Sequence, residues 1–176
     1  MRFVSISSLL LLACGAAPRQ MADGGVDAGP SGGPVFIALQ GDFAGYHSWQ
    51  AFDFGEQESD TVHIAGHQVV YLKQAPPHGS TTWPQGTLLV KEVTPDGGTQ
   101  QIFGMAKRGG AFNPSAPGWE WFELAPDTNP PVFLWRGAEP PMGAYGEDPN
   151  ATCDACHGYA ASNDYVIGMP LFLSGF

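Results

Sequence analysis

Apolar positions in this chain fall in short runs separated by Gly, Pro, Asn and Asp. The runs Val35–Leu39, Thr61–Ile64, Gln68–Leu72, Thr87–Val93, Gln101–Ala106, Trp119–Leu124 and Pro131–Trp135 are mostly rich in β-branched or aromatic residues. Such residues fit a pleated, half-buried surface and predict strands. Turn signals such as Pro95-Asp96-Gly97-Gly98 bound them. Trp119–Leu124 begins by alternating apolar and acidic residues, as a half-buried antiparallel strand does. Helix is predicted only around Ser48–Phe54 and after Cys153. The fold class is therefore mainly β (α+β), a small antiparallel sheet with a few short helices.

The first 34 residues follow a different pattern. Met1-Arg2 is followed by a mostly apolar run ending Leu11-Leu12-Ala13-Cys14-Gly15, the layout of an export signal. A membrane-spanning helix needs about 20 apolar residues, and this run is about half as long. Leu11-Leu12-Ala13-Cys14 resembles a bacterial lipobox, which predicts a lipoprotein signal peptide over residues 1–13 and acylation of Cys14. Several acyl chains together hold a protein at a membrane where one does not. Residues 14–34, rich in Gly, Ala, Pro and Asp and without aromatics, predict a disordered tether. Residues 35–176 then form one domain, exported to the periplasmic side and lipid-anchored, at the outer membrane rather than the inner.

The chain has 24 Gly and 16 Pro, which cut the domain into short elements and disfavour a helix bundle. Its net charge is −10, from 7 Lys and Arg against 17 Asp and Glu. Such a surface argues against nucleic acid as a partner, and against membrane contact beyond the lipid anchor. After Cys14 only two cysteines remain, so no disulfide framework exists.

Those two cysteines lie in Cys153-Asp154-Ala155-Cys156-His157, the strongest chemical signal in the chain. Two thiols spaced in this way can each add to a vinyl group of one haem, and the adjacent His then faces the iron. A structural zinc site needs four ligands, and there is no second cysteine pair. A thioredoxin-like dithiol belongs to a βαβ unit, and none is evident. The motif predicts one covalent haem c per chain, with His157 as the proximal iron ligand. For the sixth iron position the sequence offers Met105, Met142, Met169, His47, His63, His67 and His78 without choosing among them.

Three segments together resemble the cytochrome P460 family, which includes cytochrome c′-β. Pro84-Gln85-Gly86-Thr87-Leu88-Leu89-Val90-Lys91-Glu92 is similar to its "P-x-G-T-x-x-V-K-E" strand. Lys107-Arg108, Asn113-Pro114 and Gly118-Trp119-Glu120-Trp121-Phe122 match its "K-R … N-P … G-W-E-W-F" stretch, and Cys153–His157 followed by Asp164-Tyr165-Val166 matches its "C-x-x-C-H … D-Y-V" end. The resemblance implies a small antiparallel β domain, commonly a homodimer, with five-coordinate haem open on its distal side. In cytochrome P460 a lysine is cross-linked to the haem, and Lys91 is the matching position. Those enzymes oxidise hydroxylamine, with nitric oxide, whereas c′-β proteins bind nitric oxide or carbon monoxide in an apolar pocket. The functions implied are therefore a hydroxylamine or nitric oxide oxidoreductase, with a redox partner protein, or a non-catalytic gas-binding module. The residues alone leave a third, an electron-transfer cytochrome with a Met or His sixth ligand.

Lys91 stands in an otherwise apolar strand, and alternation puts it with Thr87 and Leu89, opposite Leu88, Val90 and Glu92. A buried lysine loses its charge readily and becomes nucleophilic; an exposed strand lysine explains the sequence equally well. Glu120 and His67 are the distal proton-acceptor candidates, with Glu123, Asp127 and Glu139 as further carboxylates. The distal arginine of cytochrome P460 has its best local match at His67-Gln68, so it is absent here. Trp83 is a candidate cap for an apolar pocket.

Overall fold

The structure, a computed structural model, describes residues 35–60, 62–145 and 152–176. The lipobox, Cys14 and the tether lie outside the described residues. The described chain forms six strands, β1 Gln50–Gln57, β2 Gly66–Leu72, β3 Leu88–Thr94, β4 Gln101–Lys107, β5 Trp119–Leu124 and β6 Phe133–Gly137. They make one antiparallel sheet in chain order, with a single short helix, α1 Cys153–His157, and several 3₁₀ turns. The mainly β fold with few short helices is what the apolar runs predict.

Two of the runs differ. Val35–Leu39 alternates as a strand would, but it pairs with no neighbour and leads into a 3₁₀ turn at Gln40–Phe43. Residues 62–64 are not in a strand either. Conversely, the stretch predicted as helix, Ser48–Phe54, runs into β1. Its Phe52 and Phe54 point to one face, and a register shift between Asp53 and Gly55 bends the strand, as a bulge does.

Each face of the sheet is covered by a chain segment. On one face Leu88, Val90, Ile102, Phe122 and Leu124 pack with Phe43 and Tyr46 from the turns preceding β1. On the other, Leu89, Trp119 and Trp121 pack with Val166, Leu171 and Leu173 from the segment following α1. Register aligns Phe52, Val70, Lys91, Phe103, Glu123 and Trp135 across all six strands on this second face. Lys91 thus stands mid-sheet, with Val70 and Phe103 as its cross-strand neighbours.

Candidate haem site

A short helix sets the geometry of the motif. The Thr152 side chain caps α1 by accepting the Ala155 N–H at 3.2 Å, satisfying a donor that would otherwise be unpaired. Cys153, Cys156 and His157 then fall three and four residues apart, on one helical face. Both thiols are free, and burial pushes each above its ordinary range. Asp154, on the opposite side, is buried and accepts Trp121 Nε1–H at 2.7 Å and Asn113 Nδ2–H at 2.9 Å. These bonds anchor the helix to β5 and to the loop preceding it.

His157 is oriented from both sides. Its Nδ1 lies 2.7 Å from the Tyr165 carbonyl oxygen, and its ring lies 4.6 Å from that of Trp121. A carbonyl only accepts, so Nδ1 carries the proton and Nε2 the lone pair. Burial pushes the ring's pKa down to about 4, against the opposing bond to Tyr165. The imidazole is neutral near pH 7, the form that ligates a metal. Tyr165 presents its carbonyl because Asp164 and Tyr165 both take left-handed φ, 51° and 67°, which turns the chain back over α1.

A cavity of about 330 Å³ opens between the sheet and this segment, and Cys153, Cys156, His157 and Lys91 all line it. Phe54, Val70, Leu89, Phe103, Trp121 and Val166 supply apolar walls, the composition usual for cofactor pockets. Lys91 Nζ forms no hydrogen bond or ion pair with any described residue. Burial lowers its pKa, opposed by the nearby Asp60 and Cys156. Gln68, buried, lines the cavity from β2, the strand where the distal arginine would stand; no arginine lines it.

The other candidates are placed elsewhere. Glu120 is on the opposite face of β5, 2% exposed, and is held by Arg136 through two bonds of 2.8 and 2.9 Å. His67 is on the far face of β2, beside Asp53 and Glu56 at 3.0 and 3.4 Å. Neither lines the cavity. Glu123, on the cavity face of β5, accepts from Tyr145 and Trp135 and does not line the cavity, nor do Asp127 and Glu139. Trp83 is core, packed on Phe176, and its buried Nε1–H has no partner among the described residues. Met142 and Met169 are exposed, and of the described methionines only Met105 lines the cavity. Its cross-strand partner is Trp121, the ring that carries His157.

His63, one of the candidates for the sixth iron position, has a partner that the sequence did not show. His63 and Asp60, in the connection between β1 and β2, line the cavity beside Lys91 and bond to each other at 2.8 Å. The signal was local, Asp followed three residues later by His, but the apolar Val62 and Ile64 disguised it as a strand.

The family model for cytochrome P460 matches residues 43–168. The chain belongs to the cytochrome P460 family. The match spans β1 to the turn beyond α1, and with it every cavity-lining residue except Leu171. No curated protein and no solved structure gives a significant match to the chain. Membership makes this a c-type haem protein, and the residues fit that group. Two thiols and a neutral imidazole share one helical face, and an apolar cavity adjoins them. Among the described residues no cluster of three or more His, Cys, Asp and Glu converges as an alternative metal site.

Proposed function

We propose that this cytochrome P460 family member is an exported oxidoreductase for small nitrogen species, hydroxylamine or nitric oxide, anchored through lipid on Cys14. The observation that carries the reading is Lys91. A lysine in mid-sheet, partly buried, with apolar cross-strand neighbours and no polar partner among the described residues is costly unless it serves the cavity. Burial favours its neutral amine, the nucleophilic form that a haem cross-link needs.

Cys153 and Cys156 would hold the haem by thioether bonds and His157 would ligate its iron. Bound there, haem supplies a one-electron redox centre and a coordination site for a small ligand. The chain's own residues orient and insulate it. Tyr165 fixes the His157 tautomer, and Trp121 sets its ring plane. Phe54, Val70 and Phe103 keep the cavity apolar, which strengthens every electrostatic interaction inside. Electrons leave to a redox partner protein. The family's homodimer is part of the proposal.

A second reading is a gas-binding module of the c′-β kind, for nitric oxide or carbon monoxide. Gln68 in place of an arginine and the apolar walls favour it. The reduced visible spectrum of the holoprotein and of Lys91→Ala separates the two. A strong shift on substitution supports the cross-link and the oxidoreductase. Identical spectra leave the gas-binding reading.

A further inference from the structure

His63 reaches the cavity from the connection between β1 and β2, with its side chain 12% exposed. Its ring meets Phe103 edge-on, with centroids 4.9 Å apart. Asp60 holds it. One carboxylate oxygen lies 2.8 Å from His63 Nδ1, and the other accepts the Val62 and His63 backbone N–H groups, both at 2.7 Å. Burial alone would raise the Asp60 carboxyl, but these bonds bring it well below the usual carboxylate range. An ionised carboxylate only accepts, so Nδ1 is the protonated nitrogen and Nε2 carries the lone pair of the neutral ring. Nε2 has no hydrogen-bond partner among the described residues.

We propose that His63 is the proton acceptor for a protic nitrogen ligand bound in this cavity, with Asp60 as its positioning residue. The inference rests on the haem-site reading above and adds the group that reading lacks. A ligand of the hydroxylamine class loses an N–H or O–H proton to Nε2. The ligand–hydrogen bond breaks, its electron pair stays on the ligand, and a new N–H bond forms on the imidazole. The resulting imidazolium remains paired with Asp60, whose side chain is 46% exposed, and gives the proton up to water. Glu120 and His67 are excluded from this role by lying across the sheet.

The test uses the full haem-loaded chain. The carbonyl stretching band of the ferrous carbon monoxide complex is followed by infrared spectroscopy across pH in wild type, His63→Phe, His63→Gln, Asp60→Asn and Asp60→Glu. Hydroxylamine-dependent reduction of an electron acceptor is measured beside it. Glu58, Asp60, Lys91, Cys156 and His157 also face the cavity, so the His63 variants are the control for them. The wild-type band moves with pH, and both His63 variants abolish the movement. Turnover falls about 100-fold or more in His63→Phe through kcat, and about 10-fold in Asp60→Asn, with Asp60→Glu recovering most of it. A wild-type band that ignores pH, or pH dependence that survives in both His63 variants, overturns the proposal. A protein without hydroxylamine turnover overturns both the oxidoreductase reading and the proton-accepting role, whereas turnover indifferent to His63 keeps that reading and overturns this proposal.

Discussion

Lys107 Nζ lies 2.6 Å from Asp164 Oδ1, and this ion pair joins the end of β4 to the turn that follows the haem motif. Both side chains are about nine-tenths buried. Lys107 also donates to the Pro117 carbonyl at 2.8 Å and lies over the Trp119 ring, 4.8 Å from its centroid. Asp164 accepts the Trp83 N–H with its second oxygen and the Trp119 indole N–H with its carbonyl. The two residues come from separate family segments that a linear reading leaves unconnected. Removing one partner strands a buried charge, so Asp164→Ala is expected to cost about 3–5 kcal/mol. Urea denaturation of the holoprotein checks this. The variant should also bind less haem, because the adjoining Tyr165 carbonyl orients His157. The double variant Lys107→Met, Asp164→Ala should recover part of the loss.

Glu120 gives the opposite contrast. Arg136 holds it bidentately, donates to the Ala38 carbonyl at 2.8 Å, and stacks on Phe122 and Phe133. Arg108 adds a contact at 3.5 Å. Glu120→Ala should therefore destabilise the protein by about 3–5 kcal/mol and leave carbon monoxide affinity and the reduced spectrum unchanged. A ligand-affinity change at full folding would return Glu120 to the distal chemistry.

The proposed thioether attachment makes a simple prediction. Haem should stay with the chain through acidified organic solvent in wild type, and in Cys153→Ala and Cys156→Ala singly, since one bond suffices. The double variant should release it. The absorbance of the extract reads the result.

Glu139 predicts a pH dependence of stability. Burial first, then the Asp154 charge and hydrogen bond, raise its pKa from 4.5 to about 7, although it also accepts the Cys153 N–H at 3.1 Å. Between those values the folded state keeps a proton that the unfolded chain gives up. Stability must therefore fall as pH rises from about 4.5 to about 7. Denaturation midpoints at the two ends should show this, and Glu139→Gln should flatten the difference.

Local pattern made much of the sheet legible. β2 to β6 carry runs whose side chains suit a pleat, and the spacing of Cys153–His157 marks the candidate haem site. β1 was hidden because an edge strand made of Gln, Ala, Asp, Gly and Glu around two Phe residues resembles an exposed helix. Val35–Leu39 misled in the other direction. Its alternation is real, with Phe36 packed inward and Ile37 and Leu39 exposed, yet single contacts such as Phe36 N–H to the Arg108 carbonyl replace a ladder. The distal residues were the least legible. Whether His63 or His67 faces a cavity depends on where a connection folds back over Phe103, and no periodicity encodes that.

Each strand neighbours its sequence neighbours in the sheet, and that order has a kinetic consequence. Every pairing closes only the connection between consecutive strands, the longest running over residues 73–87, and loop-closure cost grows slowly with length. The segment carrying α1 contributes no strand among the described residues and packs across the face of the sheet. The cavity is a seam between the sheet and this clasp. In the proposed reading haem would be gripped from the clasp side, by Cys153, Cys156 and His157, while the sheet presents Lys91. Opening the clasp would expose the cofactor while leaving the sheet intact, giving the native state a partial unfolding mode of its own.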